Sequence, residues 1–132
     1  MSEQNIGIIA CSGEECLGGT LSRLAVRKMM EELRPGEVST LCLPLFIAGG
    51  EQERAFAQNH PTISVDGCSR CCARRAIEKY SGAVAGMVDV ETLLGKRIAL
   101  NDSVVSTKDL TDEQLELVNE VAKEIVRIFD TL

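Results

Sequence analysis

The sequence predicts a three-layer α/β domain with a mainly parallel sheet of four or five strands. Short apolar runs alternate with longer amphipathic runs, which is typical of parallel strands joined by helices. We expect the flavodoxin-like strand order 2-1-3-4, which places strands 1 and 3 side by side where the chain changes direction. Because 132 residues are the size of one ordinary domain and no repeat or linker divides them, residues 1–132 are expected to form a single domain.

The first half of the chain predicts two strands and two helices. Residues 6–10 are an apolar run that leads into a loop, as a buried strand would. Apolar side chains recur at helical spacing over residues 20–33, and a Pro-Gly pair then ends that helix. Residues 38–43 are the second predicted strand, stopped by a proline. Residues 49–58 open with turn glycines and continue as a short helix.

The second half predicts two more strands, with a helix between them. Residues 62–65 are rich in β-branched side chains and form the third strand. A helix is expected over residues 69–80 and a fourth strand over 83–88, bounded by a Ser-Gly turn and an aspartate. The pattern over residues 97–107 fits an edge strand or a loop equally well.

The helix predicted over residues 111–129 has the clearest pattern in the chain. Thr111 and Gln114 have the spacing of a capping box. A broad apolar stripe follows, formed by Leu115, Val118, Val121, Ala122, Ile125, Val126 and Phe129. We expect this stripe to pack on one face of the sheet. Ile128 and Leu132 lie beyond the stripe, so a homodimer through this helix is a further expectation.

Charge and composition exclude several classes of function. A net charge of −6 argues against a nucleic-acid partner, which needs a basic surface. No apolar run approaches the roughly 20 residues that cross a membrane, and the N-terminus lacks the basic start of a secretory signal. We therefore expect no membrane partner and a cytoplasmic location. Thiols stay reduced there, so six cysteines indicate metal or redox chemistry before disulfides.

Three of the predicted strands lead into a cysteine. Cys11 follows the first strand, Cys42 falls at the end of the second, and Cys68 follows the third after an Asp-Gly pair. The carboxyl ends of parallel strands meet at one edge of a sheet, where open α/β sheets bind ligands. The three thiols are therefore expected to converge on a site. Since four soft ligands suit tetrahedral zinc, the pattern predicts a zinc site.

The fourth ligand has several candidates. Cys72 is four residues from Cys68 and would share its face of the predicted helix. Cys71 is three residues from Cys68 and could reach the same side, while Cys16 lies in the loop after Cys11. Arg70, Arg74 or Arg75 could offset the negative charge of several thiolates.

The same cysteines also allow an enzyme. Cys68 and Arg74 have the Cys-x5-Arg spacing of a phosphate-binding loop, although glycines are missing from its interior. Cys68 and Cys71 have the spacing of a thioredoxin-type redox pair. The alternative hypothesis is therefore a thiol-dependent enzyme for sulfur, redox or oxyanion chemistry, with Cys68 or Cys71 as nucleophile. An iron–sulfur cluster is a lesser alternative to zinc.

Three groups of residues resemble the DGC-domain family. They are VDGC at 65–68 with CARR at 72–75, CSG at 11–13, and CL at 42–43 with IAGG at 47–50. Family members are described as zinc-binding proteins with four candidate chelating cysteines. By position these are Cys11, Cys42, Cys68 and Cys72. The resemblance spans residues 5–100, implies a metal site and names no reaction; Cys16 and Cys71 are additional, and either could replace one of the four.

Two residues before Cys68 are expected to shape the site without binding metal. Gly67 lies at a strand-to-helix turn, where a positive φ or a close backbone approach favours glycine. Asp66 could accept backbone N–H groups, either to fix the loop around the site or simply to cap the next helix.

Overall fold

A computed structural model describes residues 5–13, 16–95 and 106–132 of the chain. In these residues four strands form one parallel sheet. The strands are β1 (Ile6–Ala10), β2 (Val38–Thr40), β3 (Thr62–Asp66) and β4 (Gly86–Asp89). The order is β2-β1-β3-β4, which confirms the predicted topology. The carboxyl ends of β1 and β3 therefore lie side by side.

Helices cover both faces of this sheet. They are α1 (Leu17–Lys28), α2 (Leu43–Ile47), α3 (Glu51–Asn59), α4 (Cys72–Tyr80), α5 (Val90–Leu94) and α6 (Asp112–Phe129). A π-helical turn, Met29–Leu33, continues α1. None of the helices in the described ranges is both long and apolar enough to cross a membrane.

The core is aliphatic and lies in two layers. On one face of the sheet, Ile8, Ile63 and Val65 pack with buried side chains of α1, α5 and α6. On the other face, Ile9 packs with a smaller cluster formed by Leu43, Phe46, Ala73, Ala76 and Ile77. Because side chains of neighbouring residues on a strand point to opposite faces, Ile8 packs in one layer of the core and Ile9 in the other.

The predicted second strand is too long. β2 ends at Thr40, and the chain forms the helix α2 from Leu43 onward. Pro44, predicted to stop a strand, instead lies in the first turn of this helix, where proline needs no N–H partner and has a suitable φ.

Three other predicted boundaries also differ from the structure. Helix α1 begins at Leu17 and takes two glycines into its first turn, whereas the predicted helix started at residue 20. Helix α4 begins at Cys72, three residues later than predicted, and β4 begins at Gly86. The prediction for residues 97–107 falls almost entirely outside the described residues.

Helix α6 has the predicted capping box and packs on α1, its π-helical turn and β4. The buried stripe differs at one end: Leu117 is buried, while Leu115 is 47% exposed. Ile128, expected at the surface, packs against the core and faces Gly86, where an added Cβ would lie 2.3 Å from its Cγ2. The dimer contact stays a prediction, and the exposed Leu115 and Leu132 are residues through which to test it.

Removal of the α6 cap should lower stability modestly. Thr111 Oγ1 accepts the Gln114 N–H at 3.1 Å, and Gln114 Oε1 accepts the Thr111 N–H at 2.9 Å. We expect Thr111→Ala to reduce the free energy of unfolding by about 1 kcal/mol. Urea denaturation measures this change, with Thr107→Ala in the preceding exposed turn as the control. An unchanged midpoint would contradict a contribution from the cap.

Candidate functional site

An open cleft of about 1270 Å³ lies at the carboxyl edge of the sheet, next to β1 and β3. Its walls come from the loop after β1, α2, the loop after β3, the start of α4 and the start of α5. The lining residues that carry chemistry are Cys11, Ser12, Cys16, Asp66, Cys68, Ser69, Arg70, Cys72 and Glu91. Four of the six cysteines thus share one cleft, and all six are free thiols.

Cys11 is the most buried thiol of this cleft. The Cys11 N–H donates to the carbonyl of Val65 at 2.9 Å, and this hydrogen bond holds Cys11 beside the carboxyl end of β3. The Gly67 N–H donates to Cys11 Sγ at 3.3 Å. Burial raises the pKa of the Cys11 thiol, while hydrogen bonds from the backbone of Gly13 and Gly67 act in the opposite direction. Burial outweighs these hydrogen bonds, so the pKa of Cys11 stays above its usual value, and the nearby Asp66 carboxylate raises it further.

Cys68 and Cys72 reach the cleft from one loop and not from one helix. Cys68 follows β3, and α4 begins only at Cys72, so the predicted shared helical face is wrong. Between them the Cys71 N–H donates to the Cys68 carbonyl at 3.1 Å. Cys71 has a φ of 51°, the only positive value of a non-glycine residue in the described ranges. This left-handed turn takes the place of the predicted first helical turn.

Cys71 and Cys42 lie outside the lining of the cleft. Cys71 is buried, whereas Cys72 beside it is exposed and lines the cleft; the choice between them as ligands stays a prediction. Cys42 is exposed and precedes α2, whose Leu43 and Pro44 do line the cleft. Since β2 ends two residues before Cys42, pairing within the sheet does not fix its position. Its role as a ligand stays a prediction.

Glycines bring the two cysteine loops into backbone contact. A Cβ on Gly67 would lie 2.4 Å from the carbonyl carbon of Gly18, and a Cβ on Gly18 would lie 2.3 Å from the Gly67 oxygen. A Cβ on Gly19 would lie 1.8 Å from the oxygen of Gly13. Gly67 is therefore required for close approach and not for a positive φ, which it does not have. Sequence reasoning missed Gly18 and Gly19, although their pairing at the start of a helix was a visible signal.

Asp66 caps α4. It is 2% exposed, and its Oδ1 and Oδ2 accept the N–H groups of Ala73 at 2.7 Å and Arg74 at 3.2 Å. Burial raises the pKa of Asp66, and the two backbone hydrogen bonds oppose that rise. Of the two roles predicted for this carboxylate, the structure supports the helix cap.

Substitution of Asp66 should therefore affect stability more than metal binding. Asparagine keeps one acceptor oxygen but presents an NH₂ group to the second backbone N–H. We expect Asp66→Asn to lower the free energy of unfolding by about 1–2 kcal/mol. Zinc affinity should change little. Thermal unfolding and a zinc titration check this, with Asp89→Asn, at the half-buried N-cap of α5, as the comparison. Normal stability with weaker zinc binding would instead make Asp66 part of a metal site.

The charged groups around the cleft weaken the phosphate-loop hypothesis. Arg70 lines the cleft, and Ser69 Oγ donates to Glu91 Oε1 at 3.3 Å. Arg74 does not line it; its guanidinium lies 3.6 Å from Glu78 and contacts Met87. Arg74, the residue that would bind an oxyanion next to Cys68, thus contacts Glu78 and Met87 instead of the cleft.

The thiols share a cleft without converging on one point. Within residues 5–13, 16–95 and 106–132, no three or more His, Cys, Asp or Glu side chains are grouped as a metal ion would require. The donors are nevertheless the soft sulfur ligands that zinc and other thiophilic metals prefer. The residues therefore suit zinc in chemistry, and their loops would have to draw together around it.

The fold and the cleft define an α/β domain whose cysteines lie at the switch point of a parallel sheet. A family model described as DGC domain matches residues 7–125. The chain therefore belongs to the DGC-domain family, as its motifs indicated. No curated protein and no solved structure matches the chain.

Proposed function

We propose that the protein is a cytoplasmic metal-binding protein that holds one zinc ion between thiolates of the cleft. The observation that carries the proposal is the presence of four cysteines on the walls of one cleft at the carboxyl edge of β1 and β3. Three of them, Cys11, Cys68 and Cys72, belong to the predicted ligand set. The fourth predicted ligand, Cys42, borders the cleft through its neighbours in α2.

The surroundings suit a thiolate site. Cys11 already accepts the Gly67 N–H, and Cys16 and Cys72 lie at the N-termini of α1 and α4, whose partial positive charge would offset part of the negative charge of a site with several thiolates. Arg70 adds a full positive charge at the rim. A bound zinc ion would supply the remaining positive charge and tie the loops together, with no redox chemistry of its own.

The second candidate is an enzyme with Cys68 as nucleophile. One observation favours it: Cys68 is half-buried and shares an open cleft with Arg70, so a small anion could reach both. Cys71, the other candidate nucleophile, is buried outside the lining. Metal content separates the two proposals, because zinc bound by several thiolates would block Cys68 from alkylation. A brown colour with visible absorbance would indicate an iron–sulfur cluster instead.

Zinc should raise the stability of the folded protein. If the folded chain alone binds zinc, free zinc at about a thousand times the Kd adds about 4 kcal/mol to the free energy of unfolding. We expect thermal unfolding to shift upward with zinc and to return with a chelator. Magnesium, which prefers oxygen ligands, serves as the control and should have no effect. An unfolding temperature that zinc leaves unchanged would contradict the proposal.

A further inference from the structure

Cys16 lies in the cleft close to Cys11. A Cβ on Gly13 would lie 3.7 Å from Cys11 Sγ and 3.7 Å from Cys16 Sγ, so the two sulfurs are at most twice that distance apart. Cys16 occupies the N-cap position of α1, yet its side chain makes no capping hydrogen bond. Its half-buried side chain therefore does not cap the helix, and it lines the cleft.

The cleft cysteines form two pairs on two loops. Cys11 and Cys16 have the spacing Cys-x4-Cys, and Cys68 and Cys72 have the spacing Cys-x3-Cys. Structural zinc sites are typically built from pairs separated by two to four residues. Backbone contact between Gly67 and Gly18 fixes the second loop against the helix that follows the first. Cys42 would instead be a single ligand on a third loop.

From this pairing we infer that Cys16 is the fourth zinc ligand, which completes a set with Cys11, Cys68 and Cys72. The inference rests on the proposed zinc binding and concerns the identity of the ligands. It replaces the exposed Cys42 with a half-buried thiol that already lines the cleft beside Cys11.

Serine variants of single cysteines test the assignment. Zinc affinity is measured by competition with a chromophoric chelator, and the thiolate count by the charge-transfer absorbance of the cobalt-substituted protein. We expect Cys16→Ser to weaken zinc binding at least about 100-fold, more than a loss of outer-shell support would. The cobalt–thiolate absorbance should fall by about a quarter, since one of four thiolates is lost. Cys42→Ser should match the wild-type protein, as should the buried control Cys71→Ser.

Alkylation of the wild-type chain gives a test that needs no variant. With zinc bound, iodoacetamide should modify Cys42 and leave Cys16 protected, and a chelator should expose Cys16. Wild-type zinc affinity in Cys16→Ser, with the loss in Cys42→Ser, would overturn the inference and leave the zinc proposal standing. Equal losses in the two variants would also overturn it, because a tetrahedral site admits only one of them. A wild-type chain that binds no zinc would instead refute the underlying proposal.

Discussion

Gly67→Ala is expected to lower the free energy of unfolding by about 3 kcal/mol, at the upper end of the usual cost of overpacking. The new Cβ would lie 2.4 Å from the carbonyl carbon of Gly18 and 2.5 Å from the nitrogen of Gly19. Both are backbone atoms of α1, so no flexible side chain can move away. Relief requires the loop after β3 to separate from the helix, which would also widen the cleft.

Urea denaturation and far-UV circular dichroism measure the loss. Gly18→Ala should behave like Gly67→Ala, because its Cβ would clash with the backbone of Gly67 in the same contact. Gly13→Ala is the matched control: its Cβ would lie 3.5 Å or more from the nearest atoms, an ordinary contact distance. A Gly67→Ala protein as stable as the Gly13→Ala protein would show that these loops are not in the described contact.

Cys11→Ser is expected to weaken zinc binding strongly. It removes the most buried sulfur of the cleft, to which the Gly67 N–H donates. We expect zinc affinity to fall at least about 100-fold, since a lost ligand costs more than a lost outer-shell partner. The serine hydroxyl can accept the same N–H, so the fold should persist.

Chelator competition measures the affinity, and circular dichroism checks that the variant is folded. Cys71→Ser is the matched control, because Cys71 is equally buried but lies outside the lining. Cys68→Ser and Cys72→Ser should resemble Cys11→Ser. Equal affinities of the Cys11 and Cys71 variants would place the metal outside this cleft.

The sheet could be predicted because its signals are local and repeated. Residues 6–10 are an apolar run and residues 62–65 a run rich in β-branched side chains, both of strand length, and helical segments between strands are typical of parallel crossovers. Those two features predict a parallel sheet, and the order common in flavodoxin-like sheets is the observed order β2-β1-β3-β4. The capping box of α6 was equally visible, since Thr111 and Gln114 satisfy each other within one turn.

Boundaries that depend on tertiary contacts could not be predicted in this way. Helix α4 starts at Cys72 because Cys71 takes a left-handed conformation and Asp66, six residues upstream of α4, accepts the N–H groups of its first turn. An apolar pattern carries neither piece of information. Leu115 and Leu117 show the same limit, because both are leucines and only packing decides which is buried.

The site was predictable only in part. The rule that parallel strands end at one edge correctly brought Cys11 and Cys68 to one cleft. It failed to bring in Cys42, because β2 ends before that residue and the chain turns into α2. Cys16 also lines the cleft, next to the close approach of Gly13 and Gly19, and a rule based on strand ends does not detect it.

The zinc content of the purified chain tests the central claim most directly. The chain is purified without chelator, and elemental analysis is combined with a thiol titration before and after denaturation. We predict about one zinc per chain, with four of the six thiols unreactive until the metal is removed. A folded, metal-free protein that takes up no zinc on dialysis and whose cleft thiols all react freely would contradict it.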